Sequence, residues 1–470
     1  MDASTRFTIR VALTVALGGF LMGFDASVIS GVVGFIETDF ELSNIELGWA
    51  VASLTLTATL AMMLAGPLSD RFGRRPVLKA AALLFALSAF ASALAPDYIT
   101  LVAARMLGGF GVGAALIIAP MYIAEIAPPE VRGRLVSFNQ LNIVVGISAA
   151  YFSNYLILSL GQSDLAWAQA LNLGDWNWRW MLGVEALPAV FYFFALMFVP
   201  ESPRWLAMHG KDEDALDILE QVSGRTRAES DLAAVRASIE SEANQEKGTL
   251  RELFQPAMKL VLIIGVSIAI LQQITGINSV FFYAPMIFEQ SGIGTDAAFM
   301  QAVLVGLVNL VFTVLAILFI DKLGRRPLLI AGLALIAACM LLLAYGFGQA
   351  TYTPEGELLD INPTLILFGI LGFVAGFAIS LGPVMWVLFS ELLPNRIRGV
   401  AISFVGLINS GVSFLVQLVF PWELENFGPS VTFLVYGVFA VIGLLFVLKV
   451  VPETKGRSLE ELEAELVFKK

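Results

Sequence analysis

Gly66-Pro67-Leu68-Ser69-Asp70-Arg71-Phe72-Gly73-Arg74-Arg75-Pro76 is answered later in the chain by Asp321-Lys322-Leu323-Gly324-Arg325-Arg326-Pro327. Each stretch stands between two long apolar runs. A second matched pair follows, Glu125 with Arg132-Gly133 and Glu391 with Arg398-Gly399, and then a third, Pro200-Glu201-Ser202-Pro203-Arg204 and Pro452-Glu453-Thr454-Lys455-Gly456-Arg457. Taken singly, each motif is explained by glycine and proline making tight turns and arginine anchoring to lipid phosphate. The same order and spacing twice over reads instead as an internal duplication.

The runs around these motifs are membrane spans. A crossing helix needs about 20 mainly apolar residues, and runs of that length fall near 9–32, 46–68, 77–95, 98–122, 134–160 and 179–199, then near 258–288, 297–320, 327–348, 363–390, 399–421 and 430–451. Of the 470 residues 58% are hydrophobic and 14% charged, with mean hydropathy +0.81, whereas a soluble domain has about 25% charged residues. A soluble enzyme is excluded on this ground. The single cysteine, Cys339, cannot form an internal disulfide, and the single histidine, His209, lies in a hydrophilic segment, so neither a metal site nor Ser/His/Asp chemistry is expected. The first run is too long for a signal-peptide core and is expected to remain as helix 1.

Charge gives the sidedness. Arg71, Arg74, Arg75, Lys79, Arg132, Arg134, Lys322, Arg325, Arg326, Arg396 and Arg398 all fall in connections 2–3, 4–5, 8–9 and 10–11, while the opposite connections carry acids such as Glu37, Asp97, Asp175, Glu355 and Glu425. By the positive-inside rule both termini are cytosolic, in a cell-membrane protein of many spans. Only Arg105, inside a span, and Arg179, among Trp167, Trp176, Trp178 and Trp180, escape the pattern. The net charge of −11 is thus a matter of position, and no nucleic-acid partner is expected. The expected organisation is a six-helix half over 1–202, a cytosolic linker of short helices over 203–257, a second six-helix half over 258–451 and a cytosolic tail over 452–470. Two parallel repeats of this kind place a substrate site between them near the bilayer midplane.

With Gly23-Phe24-Asp25, Gln272-Gln273-Ile274-Thr275-Gly276-Ile277-Asn278 and Gly382-Pro383 with Trp386 added in order, the chain resembles the sugar porter family of the major facilitator superfamily along nearly its whole length. The resemblance implies an all-α membrane protein of twelve transmembrane helices that moves a monosaccharide by alternating access, with no cofactor.

Charges at membrane depth are costly and point to function. After helix ends are discounted, Asp25, Arg105 and Glu185 remain, each about 10 Å below the outer surface at 1.5 Å per residue. An Asp beside Arg stays ionised, and separation from that Arg favours protonation, so movement would load and unload a proton. In the proton-coupled sugar porters that the chain resembles, an acid and an arginine at the places of Asp25 and Arg105 serve coupling, where facilitative animal relatives usually have Asn for the Asp. Glu185 resembles an acid implicated in coupled members. The alternative is a purely structural ion pair.

A neutral set, Gln140 in helix 5, Gln272, Gln273 and Asn278 in helix 7, Asn309 in helix 8, Trp386 in helix 10 and Asn409 in helix 11, suits a polyol, because amides donate and accept at once. Its alternative is helix-to-helix bonding, worth about 0.6 kcal/mol each. Gln272, Gln273 and Asn278 do not share one face of a regular helix, and Gly276 is expected to bend helix 7 and reconcile them. Ile147 and Phe282 stand where bacterial xylose symporters have a glutamine and a tyrosine, and Ile147 resembles the animal glucose transporters, so a hexose is expected. At the cytosolic ends Asp70, Arg71, Glu125, Arg132, Glu201, Glu391, Arg398 and Glu453 are expected to form a salt-bridge lock between the halves. Proton symport of a monosaccharide by a monomer in the lipid bilayer is therefore the expected function. The same fold acting as a uniporter is the nearest alternative, and a sugar sensor a more distant one.

Overall fold

The computed structural model describes residues 3–244, 248–394 and 396–468; residues 1–2, 245–247 of the expected linker and 469–470 of the expected tail lie outside the described residues. Apolar runs of bilayer length become helices because lipid offers backbone groups no partner outside the segment. Among the described residues the helices long and apolar enough to cross are Ala3–Gly31, Asn44–Phe72, Arg74–Ala93, Tyr98–Ile126, Pro129–Gly161, Asn177–Phe198, Pro256–Glu289, Thr295–Leu323, Arg325–Gly348, Pro363–Leu392 and Arg398–Val450. The last has 53 residues, enough for two crossings at about 20 each. Its backbone turns at Gly428, with φ 76° and ψ 162°, so it comprises spans 11 and 12, over 398–427 and 429–450. The described residues thus hold twelve spans, numbered 1 to 12 in this order.

Helix starts follow local chemistry. Asp97 accepts from the Thr100 amide at 2.8 Å to open span 4, and Asn362 accepts from the Leu365 amide at 3.1 Å to open span 10, with Pro363 in the first turn. Arg179, one of the two exceptions to the charge pattern, donates to the carbonyls of Ala93 and Ala95 at 3.0 and 2.7 Å, satisfying the end of span 3.

The chain divides into two compact units. The first comprises Met1–Val28, Ser53–Ser153 and Leu160–Gln245, the second Ile29–Ala52, Asn154–Ser159 and Glu246–Lys470. In the first, spans 1 and 5 meet backbone to backbone: a Cβ on Gly23 would lie 2.0 Å from the Ile143 carbonyl oxygen, and one on Gly146 2.1 Å from that of Phe20. Helices in lipid associate through such small residues. Val15, Phe85, Ile118, Tyr122, Tyr192 and Leu196 fill its core. The phenols there keep a polar partner, Tyr192 donating to the Val15 carbonyl at 3.0 Å and Tyr122 to that of Pro200 at 2.7 Å.

Short helices Pro203–Met208, Asp212–Ser223 and Arg225–Asn244 follow span 6; Ile218 and Val222 bury against the first unit's core, and Arg227 pairs with Glu130 at 2.7 Å. In the second unit Phe347 of span 9 stacks on Phe433 of span 12 at 5.6 Å. The acidic connection between spans 9 and 10 folds into a small antiparallel hairpin of Thr351–Tyr352 and Leu358–Asp360, turning at Gly356 with φ +88°; no sequence signal had marked it as more than a loop.

Candidate functional site

Asp25 of span 1 and Arg105 of span 4 form an ion pair in the first unit. Arg105 Nη1 lies 2.7 Å from Asp25 Oδ1 and also donates to the Asp25 carbonyl at 3.0 Å. Glu185 completes the group. It sits where span 6 breaks between Gly183 and Ala186, because Pro188 has no amide to give the Val184 carbonyl. Asp25 and Arg105 are 1% exposed and Glu185 2%. Two buried carboxyls thus stand with one guanidinium, and Asp25 Oδ2 and Glu185 Oε1 are buried without a hydrogen-bond partner.

The amides converge in the second unit. Span 7 breaks at Gly276, which adopts φ 96°, ψ 17°, a conformation that side chains disfavour. Asn278, beyond the break, donates to Gln273 Oε1 before it at 2.7 Å. Asn409 of span 11 donates to Gln272 Oε1 at 2.7 Å, and Gln272 donates to the Leu381 carbonyl of span 10 at 2.8 Å. Asn278 also donates to Ser413 Oγ at 2.7 Å, and Gln417 donates to the same oxygen at 2.8 Å. Amides bonded to one another can exchange a partner for an incoming hydroxyl, which both donates and accepts, without leaving a buried group unpaired. Asn309 is buried on span 8 and stands outside this network. Trp386 is 46% exposed, edge-on to Phe389, and Gln140 is an exposed residue of the first unit.

The charged ends of the spans form one cluster in each unit. Arg74 grips Glu125 with two nitrogens at 2.8 and 3.0 Å and Asp70 at 2.7 Å, and Ser202 donates to the same Glu125. Arg325 grips Glu391 at 2.8 and 3.1 Å and Asp321 at 3.0 Å, and Thr454 donates to Glu391. Glu201 accepts from the amides of Arg74 and Arg75, and Glu453 from those of Arg325 and Arg326. Burial holds the Glu201 carboxyl above its ordinary range although backbone donors pull it down. Each of these pairs lies within one unit. Arg132 and Arg398, the cations expected there, donate to the carbonyls of Ala127 and Leu393 five residues earlier in the chain, and Arg71 lies over the Phe72 ring. The reason is helix geometry: Arg74 and Arg325 open spans 3 and 9 beside the ends of spans 4 and 10, while Arg132 and Arg398 turn back on their own helix starts.

The sequence matches the family described as "Sugar (and other) transporter" over residues 11–466. The chain belongs to this family. It is 39% identical over 460 residues to the arabinose-proton symporter of Bacillus subtilis (strain 168), covering 98% of this chain and 95% of that one. It is 38% identical over 493 residues to the D-xylose-proton symporter of Escherichia coli (strain K12), covering 98% and 96%. Its fold matches the inward-open xylose transporter of E. coli with TM-score 0.83 at 37% identity, covering 98% of this chain and 100% of that one. It matches the same symporter bound to 6-bromo-6-deoxy-D-glucose with TM-score 0.74 at 39% identity, over 98% and 100%. The chain is a membrane transporter of the major facilitator type and not an enzyme.

In this sugar-transporter family member, sequence reasoning passed over Ser413 and Gln417, which bring the amide network to a second and third turn of span 11. A signal was present, since they follow Asn409 at four and eight residues and so share its helix face. Arg74 and Arg325 had been marked by the duplicated Gly-Arg-Arg-Pro, but only packing shows that they face Glu125 and Glu391.

Proposed function

We propose that this protein carries a monosaccharide across the cell membrane together with a proton, by alternating access of the repeat-related halves 1–202 and 258–451, joined by the linker 203–257 and followed by the tail 452–470. The observation that carries this reading is the buried Asp25–Arg105 ion pair, 2.7 Å apart, with the buried Glu185 carboxyl as a second acid for one guanidinium. With one proton on either acid the group is neutral; without it a net negative charge remains inside the membrane, which is costly. The conformational step is therefore favoured with the proton bound, and that is the requirement for symport. Gln272, Gln273, Asn278 and Asn409, with Asn309 and with Gln140 from the other half, bind sugar hydroxyls, and Trp386 offers a ring face to the sugar's carbons.

The charge pattern of the connections supports cytosolic termini. The ion-pair clusters at the cytosolic span ends, with Asp70, Arg71, Glu125, Arg132 and Glu201 in one half and Glu391, Arg398 and Glu453 in the other, brace the gate there. The protein acts as a monomer, since one chain contains both repeats. Ile147 and Phe282 favour a hexose, while the symporters named above are described for arabinose and xylose, so the test needs both classes. Counterflow and uptake in proteoliposomes are measured with D-glucose, D-xylose, L-arabinose and myo-inositol, with and without a pH gradient. Symport requires one of these sugars to accumulate toward the alkaline side. Exchange that no gradient drives uphill is the uniporter's behaviour and would reject proton coupling.

A further inference from the structure

The residue standing against the bend of span 7 is a tyrosine that takes no part in the amide network. A Cβ on Gly276 would lie 2.5 to 3.1 Å from three carbons of the Tyr436 ring, on span 12. The Tyr436 hydroxyl is 3.0 Å from Ser279 Oγ, one residue beyond Asn278, and donates to Glu423 Oε2 at 3.2 Å. Because a phenol has a single proton and here gives it to Glu423, the proton between Ser279 and Tyr436 comes from the serine. Hydrogen bonds thus run one way, Ser279 to Tyr436 to Glu423. Both Ser279 and Tyr436 are buried. The bend is held on one side by Asn278 reaching back to Gln273 and on the other by Ser279 reaching across to Tyr436.

We propose that Tyr436 is a positioning residue for sugar binding. Its ring fills the space that only a glycine leaves at position 276, and its hydroxyl, oriented by Glu423, pulls the segment after the bend toward span 12. The angle between the two arms of span 7 follows, and with it the place of Asn278 relative to Gln273. This rests on the reading of the amide network as the sugar site.

The test is equilibrium binding to the purified full chain, with D-glucose, D-xylose and L-arabinose as probes, beside the sugar-free thermal midpoint. Tyr436→Phe keeps the ring and loses the hydroxyl, and is expected to raise Kd for the tightest probe by about three- to tenfold, the worth of one buried hydrogen bond. Ser279→Ala removes the same bond from the other side and is expected to do the same; it carries the test if Tyr436→Phe does not fold. The double variant should lose no more than either single one. A lowered midpoint with Kd unchanged in both single variants would show a merely structural tyrosine and overturn the proposal, as would losses that multiply in the double variant. If the unaltered chain binds none of the three sugars, the sugar-site reading itself fails and the proposal with it.

Discussion

In the proposed mechanism one proton binds at the buried acids beside Arg105, so two substitutions of Asp25 have different expected outcomes. Asp25→Asn keeps an acceptor for Arg105 but no longer titrates; it should abolish pH-driven accumulation while counterflow persists, and a variant that still concentrates sugar would remove Asp25 from the coupling site. Asp25→Ala leaves the Arg105 guanidinium buried without its partner, at a cost of about 3 to 5 kcal/mol, visible as a lowered thermal midpoint. In the amide network, Asn278→Ala should weaken sugar binding by about 1 to 3 kcal/mol by calorimetry. Gln272→Ala should also destabilise the sugar-free protein, because Gln272 ties span 7 to the Leu381 carbonyl of span 10. Unchanged affinity in both would move the sugar site elsewhere. Asp25, Arg105 and Glu185 were legible in the sequence because a charge inside an apolar run stands out by its cost. Ser413 was not, since a lone serine in a span carries no such mark.

At the scale of the element, the two charge clusters have the same parts but different exposure. The Arg74 and Glu125 side chains are 4% and 9% exposed, those of Arg325 and Glu391 11% and 21%. Solvent offsets the loss of an ion pair in proportion to its access. Arg74→Ala should therefore lower the thermal midpoint more than Arg325→Ala, and equal losses would contradict this ordering. The bend of span 7 gives a second expectation. Gly276→Ala places a Cβ against the Tyr436 ring in a backbone conformation with φ +96°, where strain alone costs about 1 to 3 kcal/mol. Reduced thermal stability and weaker sugar binding should appear together in this variant. That span 7 needed a break could be inferred from the spacing of its three amides. What holds the break could not, because Tyr436 lies far along the chain and meets Gly276 only through packing.

For the whole molecule, coupling one proton to one sugar sets a limit that can be measured. A gradient of one pH unit is worth about 1.4 kcal/mol and supports about tenfold accumulation toward the alkaline side; dissipating the gradient with an ionophore should return uptake to equilibrium. Spin labels at the span ends that carry the charge clusters should show changed distance populations in Glu391→Gln if those clusters brace the gate, and an unchanged distribution would separate them from gating. The number of spans was determined by sequence alone, because bilayer thickness acts on each apolar segment where it stands. Which cation faces Glu125, how Asn409, Gln272 and Asn278 bond into one network, and how Asp25 of span 1 meets Arg105 of span 4 were decided only by tertiary structure. A hydrogen bond depends on the approach of two groups to about 3 Å, and for residues on different spans that distance is set by helix packing, which no single segment encodes.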